Sequence, residues 1–174
     1  MYTLKSKHCS YQLVSLAYDE VVLETECLET ANQFLFAKEI VELLAPELES
    51  NLFLDLGNNC SCDDYGDIWI NPSFIINLQE LTGMSLELLL VIVIAHELGH
   101  AVLLEADADS YNEVAAWVIG ERLFLRLYGE EDLDSFIGIK DALLPSYEQD
   151  ENYLSWFKEA KEESSKGLNL LETL

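Results

Sequence analysis

The chain has 174 residues, half of them apolar, which is enough for one globular domain with its own hydrophobic core and excludes disorder as the default state. Its 33 acidic residues face only 9 basic ones, a formal net charge of −24. A field of that sign repels phosphate and anionic headgroups, so neither direct nucleic-acid contact nor a membrane surface is expected, whereas basic peptides, cationic proteins and divalent metal ions are attracted.

The first residues, MYTLKSKHCSYQLV, carry no apolar stretch of signal-peptide length, and the expected location is the cytoplasm. There the four cysteines, Cys9, Cys27, Cys60 and Cys62, are expected as reduced thiols. A single C-x-C at Cys60 and Cys62 is weak metal evidence and is read as structural or incidental. β-Branched and aromatic residues in the first 25 positions predict a strand or two. From Glu29 to Leu44 the apolar positions Ala31, Phe34, Leu35, Ala37, Ile40, Val41 and Leu44 fall near one helical face, and Pro46 follows as a stop.

Leu52 to Leu56 then alternates as a strand, GNNCSCDDYG reads as a polar loop, and Asp67 to Asn71 makes a second strand that Pro72 ends. These two strands are expected in one small sheet. Ser85 is a good N-cap for an almost wholly apolar helix to about Leu104; its longest apolar run, Leu86 to Ala95, is about half of what a bilayer needs, so a buried helix is expected. A further helix is expected from Ser110 to near Gly129, then segments of about Glu131 to Leu143 and Tyr147 to Glu163, separated by Pro145 and followed by a short tail. The fold class is therefore α+β: a small sheet packed on a buried helix, with additional helices towards the carboxyl end, in one domain over 1–174.

The chemistry lies in His96-Glu97-Leu98-Gly99-His100, at the end of the buried helix. Residues four apart on a helix share a face and sit about 6 Å apart along the axis, so the two imidazoles can serve one ion. Glu97, about 100° round from His96, can act as a general base. A chance H-E-x-x-H in such a chain has odds of roughly one in a hundred or less. The rival is a histidine pair favoured by the dipole at a helix carboxyl end, which leaves Glu97 without a role. Catalytic zinc takes three protein ligands and keeps a fourth position for water, whose pKa it lowers to roughly 7. The one other histidine, His8, has no visible link to the helix, so the third ligand is expected to be a carboxylate: Glu105, Asp107, Asp109 or Glu113. Glu113 is the best placed, in the first turn of the next helix, although Ser110-x-x-Glu113 also reads as a capping box. Asp107 and Asp109 also read as loop carboxylates. Tyr65, Trp69 and Asn71 are candidates for the cleft wall, Trp69 equally for the core.

A histidine-glutamate pair on one helix followed by N-E-x-x-A on the next resembles the gluzincin zinc peptidases, and the small chain, the INP strand end and the VIVIAHELGHA lead-in resemble the minimal ImmA/IrrE-type enzymes of phages and bacteria. The resemblance covers roughly Leu52 to Tyr128. It implies a zincin-like fold, one zinc per chain held by His96, His100 and Glu113, Glu97 as general base of peptide-bond hydrolysis, and a protein substrate such as a basic DNA-binding protein. The His100–Glu113 gap is shorter than in most gluzincins. No histidine follows His100 to hold an oxyanion, and Tyr111 is the nearest candidate for that task. The non-enzymatic alternative is an acidic protein that covers the basic face of a nucleic-acid-binding partner and keeps a structural or vestigial metal site.

Overall fold

The computed structural model describes residues 2–5, 10–17, 20–25, 36–37, 39–48, 50–54 and 59–173. It is an α+β chain dominated by helices. Strands β1 (Tyr2–Lys5), β2 (Ser10–Ala17) and β3 (Glu20–Thr25) form an antiparallel sheet in that order, one strand more than the sequence led us to expect, with a register shift between Leu13 and Ser15. Helical residues 36–37 and 39–44 (α1) bury Ala37, Ile40, Val41 and Leu44, the spacing of one helical face. The proposed start of that helix, 29–35, lies outside the described residues, as do His8, Cys9 and Cys27.

The second sheet has the order β4-β6-β5, from β4 (Leu52–Leu54), β5 (Ser61–Cys62) and β6 (Ile68–Ile70). The expected pairing is present, parallel, with Leu52 opposite Ile68 and Leu54 opposite Ile70; Asp55 and Leu56 lie outside the described residues. Contrary to the loop reading of GNNCSCDDYG, Ser61 and Cys62 pair antiparallel with Trp69 and Ile68. Asp63 makes this possible. Its Oδ1 accepts the amides of Tyr65 and Asp67 at 2.9 and 3.0 Å, its Oδ2 accepts Trp69 Nε1–H at 2.9 Å, and Gly66 supplies a φ of 81°.

Pro72 ends a strand, as expected, but it also begins a helix that the sequence reading did not foresee, α2 (Pro72–Thr82). Asn71 Oδ1 accepts the amides of Ser73 and Phe74, proline occupies the first turn where an N–H is dispensable, and Gly83 closes the helix at φ 72°. Helix α3 (Leu86–Glu105) starts where Ser85 Oγ accepts the Leu88 amide, and it is buried without interruption from Leu89 to Leu103. By length and composition alone α3 could cross a membrane; here 83% of its apolar window is buried within the fold. After α3, Asp107 adopts φ 52° and Ala108 N–H returns to Leu103 C=O at 2.9 Å, a left-handed turn that sends the chain back along α3.

Helix α4 is Glu113–Tyr128, capped by Asn112 rather than Ser110: Asn112 Oδ1 accepts the Ala115 amide at 2.9 Å. It ends at Gly129 as expected. Helix α5 (Leu133–Leu143) and a 3-10 turn, Leu144–Tyr147, follow. The last helix, α6, spans Tyr153–Thr173, so it begins later than Tyr147 and replaces the expected short tail. Its buried residues Trp156, Ala160, Ser164, Gly167 and Leu171 keep a helical stripe well past Glu163, which is why it does not stop there.

Helices α3 and α4 meet through glycine. A Cβ on Gly120 would lie 2.8 Å from the Ala95 carbonyl oxygen, and one on Gly99 would run into the Ala116 carbonyl. The two backbones therefore touch beside His96, and this close approach brings the first turn of α4 to the imidazoles.

Candidate metal centre

His96 and His100 project from the same face of α3, both buried, with Nε2 atoms 3.3 Å apart. Glu113, the first residue of α4, points back at them: its Oε2 lies 3.2 Å from His96 Nε2 and 3.6 Å from His100 Nε2. That oxygen is buried, and among the described residues no hydrogen bond of ordinary geometry reaches it. Around a tetrahedral ion with bonds of about 2.0–2.2 Å, ligand atoms stand about 3.3–3.6 Å from one another. The observed triangle has those dimensions.

Each candidate ligand is held by its surroundings. His100 Nδ1–H donates to the Ser110 carbonyl at 2.7 Å, which commits Nδ1 as the donor and leaves Nε2 to face the triangle. His96 stacks on Trp117, ring centroids 4.0 Å apart at 16°. Asn112, by taking over the cap of α4, leaves Glu113 free of the capping box that Ser110 would have offered, and Ser110 serves His100 instead. Asp107 is exposed on the left-handed turn, while Asp109 accepts the Tyr111 amide and gives its own amide to Glu163, so neither joins the triangle.

Glu97 is 6% exposed, and His96, Glu97 and His100 offer ligand atoms within 4.8 Å of one another, a group that could hold a metal ion. The tighter set, however, is the one with Glu113. The two carboxylates are pushed in opposite directions. Burial would raise Glu113, but its pairing with His100 and His96 outweighs burial and holds it well below the usual carboxylate range. Glu97 is raised: burial and the Glu113 charge prevail over the charges of His96 and His100 and the amide of Cys62, which bonds to the carboxylate. One carboxylate therefore stays ionised against the imidazoles while the other is poised to take up a proton. Burial lowers His100, yet pairing with Glu113, the Glu97 charge and the Ser110 carbonyl bring it up to about 9. The same negative field that retains a proton there favours a cation.

The three triangle residues and Glu97 line a cavity of about 120 Å³ whose wall includes Asp63, Asp64 and Tyr147. Tyr111 stands at its mouth, 68% exposed, with its hydroxyl donated to Asp64 Oδ1 at 2.7 Å rather than turned to the imidazoles. Tyr65 is 90% exposed, Trp69 stacks on Phe53, and Asn71 caps α2; none of these three lines the cavity.

Sequence reasoning missed a cysteine pair and a tyrosine. Cys60 and Cys62, set aside as structural, form part of the cavity wall, and burial with the nearby charge of Glu97 pushes the Cys62 thiol up to about 12, so it stays protonated. Tyr147 also lines the cavity; burial and the charges of Glu113 and Glu97 push its phenol well above the usual range, and its hydroxyl interacts with the Glu113 carboxylate. Neither bears a fixed spacing to His96, and only the C-x-C itself was a visible signal. No protein-family model matches the chain, and neither a curated protein nor a solved structure matches it.

Proposed function

We propose that this chain is a zinc-dependent peptidase, most similar in design to the minimal gluzincins of the ImmA/IrrE type, with the β4-β6-β5 sheet and α3 as a zincin-like core. The observation that carries this reading is the triangle of His96, His100 and Glu113 beside a second carboxylate, Glu97, whose proton affinity is shifted the opposite way. Two nitrogens and one oxygen at tetrahedral spacing form a donor set that suits zinc.

Zinc held there supplies a Lewis acid for the scissile carbonyl and acidifies water at neutral pH. Glu97 takes one proton from the attacking water and returns it to the leaving amine nitrogen as the C–N bond breaks. The Cys62 amide keeps the carboxylate oriented between these transfers. Glu113 remains an ionised ligand throughout, and the Ser110 carbonyl keeps His100 in the ligating tautomer.

With a net charge of −24, and with Asp63 and Asp64 in the cavity wall, basic proteins are the favoured substrates, DNA-binding proteins among them. The test is cleavage of unfolded casein and of a panel of basic DNA-binding proteins. We expect cleavage by the zinc-loaded chain, its loss after chelation and its return with one equivalent of zinc. Stoichiometric zinc without cleavage of any of them would favour the acidic binding protein with a structural metal.

A further inference from the structure

Hydrolysis of an amide places negative charge on the carbonyl oxygen, and a donor in a water-poor site must meet it. Among the described residues, the main cavity has no lysine, arginine, asparagine or glutamine in its wall. Apart from the two imidazoles that face Glu113, its side-chain donors are hydroxyls and thiols, and a thiol is a weak donor. Tyr111 is already committed to Asp64, and Ser61 is exposed on the edge strand β5. The Cys62 thiol donates to the Asp63 carbonyl. Ser110 serves the site through its backbone.

Tyr147 remains. It lines both the main cavity and a second one of about 50 Å³, and Cys60, His96 and Glu97 are common to the two, so the phenol stands where they adjoin. Its position is fixed from behind: the ring packs edge-on against the buried Trp156 of α6, centroids 6.1 Å apart, and its carbonyl accepts the Asp150 amide at 2.8 Å. A phenol carries its proton at neutral pH and can donate it in a hydrogen bond.

We infer that Tyr147 is the hydrogen-bond donor to the developing oxyanion, its hydroxyl turning from the Glu113 carboxylate to the substrate carbonyl oxygen as charge builds there. This rests on the peptidase reading. Tyr147 reaches the site from the 3-10 turn after α5, so the role that Tyr111 was expected to fill passes to a residue far along the chain.

The experiment compares Tyr147→Phe and, as a control remote from the cavity, Tyr65→Phe with the wild type, all zinc-loaded, in three readouts: zinc per chain, steady-state hydrolysis of a basic peptide, and calorimetric binding of a phosphinic pseudopeptide whose tetrahedral phosphinate imitates the oxyanion. Tyr147→Phe is expected to keep its zinc and its KM, to lose kcat by about 10²-fold, and to bind the phosphinic compound weaker by a similar factor. Tyr65→Phe should match the wild type in all three. Unchanged phosphinate binding by Tyr147→Phe would overturn the assignment, and so would loss of zinc, which would make Tyr147 a positioning residue for Glu113. A zinc-loaded wild type that binds no phosphinic compound would overturn the peptidase reading as well, which separates the two failures.

Discussion

Glu97→Gln is expected to bind zinc as the wild type does and to lose hydrolysis by about 10²–10⁴-fold, the usual contribution of a general base. The substitution is nearly isosteric, and the amide oxygen of glutamine can still accept the Cys62 N–H that now bonds to the carboxylate. What it cannot do is carry a proton from water to the leaving nitrogen. Burial already raises Glu97, so an uncharged side chain there should leave the melting temperature unchanged or higher. If Glu97 were instead a zinc ligand, the substitution would weaken zinc binding along with activity. Zinc content, turnover and thermal melting measured on one preparation tell these apart. Only the loss of turnover with zinc retained agrees with the role argued above.

The second large effect is at the crossing of α3 and α4. Alanine normally improves a helix interior by about 1 kcal/mol over glycine. At Gly99 and Gly120 the sign should reverse, because the added methyl meets backbone of the facing helix, which cannot rotate away as a side chain could. Overpacking of this kind costs about 1–3 kcal/mol. Function should suffer more than stability. Separating the helices moves Glu113 away from imidazoles it now approaches to 3.2 and 3.6 Å, so Gly99→Ala and Gly120→Ala should lose zinc affinity by at least about tenfold while remaining folded at low temperature. Gly138 is the internal control: it lies in α5, exposed, with nothing within 4 Å of an added Cβ, and Gly138→Ala should raise the melting temperature and leave zinc binding alone. Equal effects at all three positions would refute the close-contact argument.

The glycine of HELGH shows what the sequence could convey and what it could not. Helical spacing is local, so the shared face of His96 and His100, the Ser85 cap and the Gly129 stop were readable directly. Glu113 was readable because Asn112-Glu113 stands at a helix start one turn of chain away, although Ser110 seemed the better cap until the structure gave that task to Asn112. Gly99 had no meaning until α4 was seen lying against it. Helix α2 was missed because Asn71-Pro72 signals both the end of a strand and the start of a helix, and only the first was read. Strand β5 was hidden because it is two residues long and depends on the bonds Asp63 makes to Tyr65, Asp67 and Trp69. Tyr147 and the Cys62 amide reach the centre by tertiary packing, with no periodicity to announce them.

The proposed zinc site stands or falls on whether His96, His100 and Glu113 together hold one ion. The most direct test is zinc titration by calorimetry of the metal-stripped wild type and of Glu113→Ala. One site per chain is expected in the wild type. Loss of an outer partner of a metal ligand usually weakens binding about 10–100-fold, and loss of the ligand itself in Glu113→Ala should exceed that. A wild type that takes up no zinc, or a Glu113→Ala that binds it as tightly as the wild type, would rule out a zinc site built on His96, His100 and Glu113.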